Sequence, residues 1–206
     1  SICLKSRYND NLHPALKPMM KYSNKKELQF SNPSVSKSQE DPGLGSKISV
    51  STAGNKEAGR SETNQLMHGS EVAFWENPDE VMAGMLQTIP MSKNTMVFLE
   101  STANGVGGYF YEAYQKAKNG ESGFKAFFFP WWEHEEYSIP AGRGFRCTDE
   151  EKELKETLHL TNDQINWRRM KKAELAGTKQ KFEQEYPADD MEAFISSGRP
   201  RFDIET

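Results

Sequence analysis

Residues 101–105 read Ser-Thr-Ala-Asn-Gly, which sets two hydroxyls and a carboxamide within four positions. Such uncharged groups both donate and accept hydrogen bonds, so they can hold a ligand oxygen or a water. They follow the short apolar run Met96, Val97, Phe98 and Leu99, of the kind that fills a buried parallel strand. Beyond Gly107 and Gly108, Phe110, Tyr111 and Tyr114 fall at helical spacing. A strand that ends in small polar residues and then opens a helix places those residues at the carboxyl edge of a sheet, where open α/β folds put their ligands. An ordinary strand-turn-helix connection with Asn-Gly as the turn has the same pattern.

The elements that would position this stretch can be read along the chain. Residues 1–20 carry a weak helical pattern broken at Pro14 and Pro18. Leu28, Gln29 and Phe30 alternate as in a short strand, and residues 31–45, with Pro33, Pro42, Gly43 and Gly45, read as a mobile loop. Residues 47–52 predict a half-buried strand with Ile48 and Val50 on one face. Residues 69–75, GSEVAFW, form a β-prone run with Glu71 at its start. Asn77, Pro78, Asp79 and Glu80 then signal a helix start. Val81, Met82, Met85, Leu86 and Ile89 would form its apolar face, and Pro90 its end. Residues 124–132, FKAFFFPWW, predict a second buried strand.

From Thr148 the pattern becomes helical. Thr148 with Glu151 forms a capping box, Thr161 or Asn162 caps a second helix, and residues 179–186 and 189–195 give two more segments. The order is strand-helix-strand-helix-strand followed by a helical tail, which predicts an α/β core with mostly parallel pairing and a helical subdomain.

Composition bounds what this core can be. The 206 residues are 35% hydrophobic, with a mean hydropathy of −0.81, which fits a modest core with polar segments attached. The net charge of −4 argues against a general positive coat for nucleic acid, though not against a local basic face. Cys3 and Cys147 have neither disulfide-framework nor zinc spacing. No run is apolar enough to cross a membrane, and no signal peptide is visible. Ser at position 1 and the abrupt Phe202-Asp203-Ile204-Glu205-Thr206 end suggest a fragment.

LESTANGVGGYFYEAY, then FFPWWEHEEY, then FEQEYPADDMEAFISSGRPRFD occur in that order, and together they resemble the large terminase subunit of tailed bacteriophages. The resemblance covers residues 47–203. It implies a partial RecA-like (ASCE) P-loop NTPase core, with residues 1–146 as the C-terminal part of the ATPase domain. Residues 147–206 would be the helical linker that leads to a nuclease domain.

Residue by residue, Ser101, Thr102, Asn104 and Gly105 match the family's coupling motif, and Glu71 falls at its Walker B glutamate. Arg60 falls at an arginine that in some members reaches a neighbouring subunit's nucleotide. Phe182 to Tyr186 and Glu192 to Phe194 match the segment that enters the linker. Two departures stand out. Ser70 precedes Glu71 where many P-loop enzymes carry the Asp that holds a magnesium-bound water, and no GxxxxGK[ST] occurs. The family places that P-loop upstream and the nuclease carboxylates downstream.

The resemblance implies ATP and Mg²⁺ as cofactors. It also implies double-stranded DNA, portal protein and the terminase small subunit as partners, a homo-oligomeric ring, and the host cell cytoplasm as the location. Glu71 would orient the attacking water, or else be a satisfied carboxylate. Arg60 would be an arginine finger, or else a solvated loop arginine. Thr102 and Asn104 would sense the γ-phosphate. Arg168, Arg169, Lys171 and Lys172 would touch DNA phosphates, or else form a solvated helix face. Glu133, His134, Glu135 and Glu136 lack the second His of HExxH, so no metal site is expected there. Trp131, Trp132 and Tyr137 suit core packing. Another RecA-like DNA motor such as a helicase, and a non-catalytic assembly module, remain as alternatives.

Overall fold

The computed structural model describes residues 12–34, 36–53, 63–175 and 179–197. The chain is a mixed α/β protein that divides into two compact units. Ser1–Met67 with Trp75–Val97 form the first, and His68–Phe74 with Phe98–Thr206 the second.

The first unit holds an antiparallel sheet of β1 (Tyr22–Ser23), β2 (Glu27–Phe30) and β3 (Ser46–Ser49), in that order. Leu28 pairs with Ile48, and Phe30 pairs with Ser46. The loop between β2 and β3 closes on Asn32. Its N–H donates to Pro42 O (3.0 Å), and its carboxamide donates to Asp41 O (2.8 Å) and accepts from Ser34 N–H (3.0 Å). Gly43 sits at φ +76°, and a Cβ there would meet Asn32 N at 3.0 Å, so the turn has room only for glycine. The strand expected over residues 47–52 is shorter and is not half-buried: all of β3 is exposed, with Ile48 at 51%. No described element covers that face, so alternation alone did not bury it.

Helix α1 (Pro78–Leu86) starts with Pro78 at its first position, and Asp79 and Glu80 lie in its first turn, as the sequence predicts. Val81 and Met82 are its buried residues. Asn77 contributes no side-chain cap, however; its carbonyl accepts from Val81 N–H instead. The helix also stops before Ile89, because the Thr88 N–H and hydroxyl both close on Met85 O (3.0 and 2.7 Å).

Strands β4 (Leu66–Gly69) and β5 (Met96–Leu99) run parallel. Met96 N–H donates to Gln65 O (2.8 Å) and Glu100 N–H to Gly69 O (2.9 Å). Among the described residues this is the parallel pairing, and the other sheet is antiparallel, which corrects the expectation of a mostly parallel core. The β-prone run 69–75 also resolves differently. The strand ends at Gly69, and Val72–Phe74 wind into a 3-10 turn. Residues 124–130 have no regular secondary structure and join no ladder, and Trp131–Glu133 form a second 3-10 turn. Phe127 and Phe129 in that segment are exposed, so the predicted second buried strand is not formed among the described residues.

The second unit carries α2 (Gly108–Lys118), α3 (Asp149–Leu158), α4 (Asn162–Glu174), α5 (Lys179–Glu185) and α6 (Asp190–Ser197). Capping boxes start α3 at Thr148 with Glu151 and α4 at Thr161 with Gln164. Its core is Trp131, Leu160, Ile165, Trp167 and Phe182. Trp167 stacks between Trp131 (5.3 Å) and Tyr137 (4.5 Å) and meets Phe182 and Tyr186 edge-on. Of the aromatic cluster expected to be core, Trp131 is buried in it and Trp132 and Tyr137 pack against it partly buried, and together they join residues 131–145 to the helices after 148 in one packed body.

Arg169 ties this body together from outside. Its guanidinium bonds both carboxylate oxygens of Glu151 (3.0 and 2.5 Å) and the Arg146 carbonyl (3.1 Å). The Arg169 bonds hold the Glu151 carboxyl below its usual range, against the opposing effect of burial, with help from Thr148 N–H. A lowered folded pKa means that the pair stabilises the protein fully above the unfolded carboxylate pKa of about 4.3, and that this is lost as pH falls through the lowered value. Glu151→Gln keeps the cap and removes the charge. It is expected to lower stability at neutral pH by under about 1 kcal/mol, the range for a partly exposed pair, with the gap from wild type closing in acid. Urea unfolding followed by tryptophan fluorescence across pH measures this; a gap independent of pH would remove the ion pair as its source.

Candidate functional site

The last rung of the β4-β5 ladder brings two carboxyl ends side by side. Glu100 N–H donates to Gly69 O, and Glu100 O in turn accepts from Val72 N–H (3.2 Å). The segments that follow the two strands, residues 70–74 and 101–105, are then laced together. Ala73 N–H donates to Ser101 Oγ (3.1 Å), and Asn104 Nδ2 donates to Ala73 O (3.1 Å). The backbone of Ala73 is thus held at both its donor and its acceptor by side chains of the facing loop. Thr102 Oγ1 donates to Glu71 Oε2 at 3.5 Å, the long limit of such a contact. Glu71, Thr102 and Asn104 are exposed, whereas Gly105 is buried.

Glu71 adopts φ +56°. A non-glycine residue in the left-handed region costs about 1–2 kcal/mol. His159, at φ +53°, shares this conformation but is the C-cap of α3, where a left-handed residue ends a helix as a matter of course. Glu71 stands instead between a strand and a 3-10 turn, held there by Val72 N–H on Glu100 O and Phe74 N–H on Glu71 O (3.0 Å). Its carboxylate is therefore presented to solvent at the sheet edge by a strained backbone.

Ser70 and Glu100 are neighbours across the same edge. Ser70 Oγ donates to Glu100 Oε1 (2.6 Å), and His68 Nε2 lies 3.5 Å from that oxygen. The serine proton is aimed at the carboxylate and not at the imidazole, so the three do not form a nucleophile-base arrangement. Glu100, one residue before the Ser-Thr-Ala-Asn-Gly stretch, has both side-chain and backbone roles here that the sequence reading did not single out. Its acidic character beside a motif was the available signal.

Ser70, Glu71, Ser101, Thr102, Asn104 and Gly105 are therefore brought together. Arg60 lies outside the described residues, as does Cys3. The basic run lies on α4, and each member has a partner within the unit. Arg168 and Lys172 stand over the Phe182 ring (5.3 and 5.6 Å), Arg169 stands over Phe145 (4.6 Å) and binds Glu151, and Lys171 binds Glu174 (2.6 Å). Burial lowers the Arg168 pKa. Among the described residues, no group of three or more His, Cys, Asp or Glu could hold a metal ion. No described helix is long and apolar enough to cross a membrane.

The strain at Glu71 gives a prediction independent of any activity. Glu71→Gly relieves the left-handed cost while adding the unfolded-state freedom of glycine, for an expected net stabilisation of about 0.5–1 kcal/mol. Glu71→Gln leaves the backbone cost in place and is expected to be neutral. Paired thermal melts measure the difference; a glycine variant no more stable than the glutamine one would mean that the conformation is not strained.

No protein-family model and no curated protein sequence matches the chain.

Proposed function

We propose that these residues form the water-orienting and coupling end of an ATPase core of the terminase large-subunit type, a motor that drives double-stranded DNA into a procapsid. The observation that carries the proposal is the lacing of residues 70–74 to residues 101–105. The resemblance assigns the Walker B glutamate and the coupling motif to two separate stretches, and the fold holds those stretches against each other at one sheet edge. The strained presentation of Glu71 supports it, since residues held in sparse conformations cluster at working sites. The exposure of Met96 and Phe98 on β5, and of Phe127 and Phe129 on a segment that joins no ladder, also suits a RecA-like sheet completed by strands from elsewhere in the protein.

In this proposal Glu71 is the acceptor that orients and polarises water. The Thr102 hydroxyl lies 3.5 Å from it, at the outer reach of a hydrogen bond, and Asn104 reports the state of the loop to the backbone of Ala73. The described residues do not by themselves hold a nucleotide or magnesium: no GxxxxGK[ST] is present, and the Ser70 hydroxyl is directed to Glu100. Those groups would have to come from a P-loop encoded upstream of Ser1. Arg60, as a finger toward a neighbouring subunit in a ring, rests on the resemblance alone. So do the contacts with DNA, portal protein and small subunit, and the location in the host cytoplasm.

The test begins with the coding sequence upstream of Ser1, where an in-frame GxxxxGK[ST] is expected. Residues 1–206 alone are expected to show no ATP turnover. In the complete protein, Glu71→Gln is expected to lower kcat by about 10²–10⁴-fold, the range for removal of a general base. Turnover that survives Glu71→Gln would favour a non-catalytic assembly role for this sheet edge, as would a stop codon with no P-loop upstream.

A further inference from the structure

The candidate loop is gripped from behind by α6, which no part of the sequence reading assigned to the site. Gly105 N–H donates to Ser197 Oγ (2.8 Å), a buried bond between residues 92 positions apart. Ser197 Oγ gives its own proton to Phe194 O (3.4 Å), which leaves an oxygen lone pair for the glycine. Gly105 lies at φ +85°, so its amide is turned in a way that other residues adopt at a cost.

Two further points on the same face of α6 hold the helix that follows the loop. The Phe194 ring packs against Phe110, Tyr111 and Tyr114 of α2, with centroids at 6.5, 5.0 and 5.4 Å. Asp190 Oδ2 accepts from Tyr114 Oη (3.0 Å) and Lys118 Nζ (2.5 Å). Burial opposes ionisation of Asp190, but these two donors outweigh it and hold the carboxyl below its usual range. Residues 190, 194 and 197 follow the i, i+4, i+7 spacing of one helical stripe. The stripe therefore spans α2 and the loop that precedes it, and neither can shift without breaking a contact to α6.

We infer that Ser197 and Asp190 are positioning residues for the 101–105 loop: α6 fixes the loop in the conformation that sets Thr102 against Glu71 and Asn104 against Ala73. What the loop does when so held rests on the ATPase proposal above; the grip itself does not.

Two measurements separate these levels. The first is amide hydrogen exchange by NMR on residues 1–206. Ser197→Ala is expected to quicken exchange at Gly105 by about tenfold, the factor for loss of one ordinary hydrogen bond. The ladder amides of Met96 and Glu100 should be unchanged. An unchanged Gly105 rate, or a uniform rise across the ladder amides, overturns the grip. The second uses the complete protein. Ser197→Ala is expected to lower kcat about tenfold at unchanged KM for ATP, and Ser197→Thr, which keeps the oxygen, to restore most of it. Asp190→Asn, which keeps the shape and weakens the Lys118 bond, is expected to lower kcat in the same direction. Quickened Gly105 exchange with wild-type kcat overturns the positioning role. Absence of turnover in the wild-type complete protein overturns the ATPase proposal instead, and the exchange result then decides the grip by itself.

Discussion

The hydrogen bond from Glu100 N–H to Gly69 O fixes the arrangement on which the candidate site depends. Parallel strands end at the same edge of their sheet, so whatever follows β4 must lie beside whatever follows β5. Glu100 then works in both directions, donating to Gly69 and accepting from Val72. This second bond carries the chain past the strand and into the 3-10 turn, which leaves Glu71 with a left-handed backbone. Conformations of that kind persist only where the surroundings over-determine them. Here the Ala73 backbone is pinned from both sides by Ser101 and Asn104, and that pinning supplies the constraint.

The helices after residue 148 rest on a different principle. Trp167 is held between Trp131 and Tyr137 by stacking and by two edge-on rings, and the cations of α4 are drawn in around this aromatic body. Arg168 and Lys172 lie over the face of Phe182, and Arg169 is forked onto Glu151. A basic run seen in sequence counts charges, whereas the fold decides what they face. Glu151, in the first turn of α3, takes up the charge of Arg169 for stability through a forked pair of bonds.

Local signals were read correctly where local chemistry settles the outcome. The capping box of Thr148 with Glu151 needs only a hydroxyl and an acceptor three residues later, and it formed; of Thr161 and Asn162, the two candidates to cap the next helix, Thr161 does so, with Gln164 completing a second box. Pro78 and its acids started α1, and the spacing of Phe110, Tyr111 and Tyr114 gave α2. The sequence did less well where a neighbour decides. Residues 124–130 are as β-prone as any in the chain, but a strand needs a partner's hydrogen bonds, and none of the described residues supplies them. GSEVAFW likewise scores as a strand throughout, yet Glu100 O captures Val72 N–H and bends it into a turn. Ser197 could not have been found from its surroundings, because a serine near a helix end is unremarkable until a glycine amide far away in sequence points at it.

The mismatch between composition and exposure in β5 carries information of its own. Met-Val-Phe-Leu is the run expected of a strand covered on both faces, yet Met96 and Phe98 are about half exposed. Scattered apolar exposure is normal for any protein, but two large side chains alternating on one face of a strand are costlier to leave in water. Phe127 and Phe129 repeat the alternation on a segment with no ladder partner. Under the ATPase proposal both features have one cause: the sheet edge seen here is the part that carries Glu71 and the 101–105 loop, and its apolar faces are shaped for strands and helices of the half that carries the P-loop. The polar end of the sheet is laced by the bonds of Ser101 and Asn104 to Ala73, while Met96 and Phe98 stay about half exposed, so under that proposal the site's geometry can be set locally even though its nucleotide would be held elsewhere.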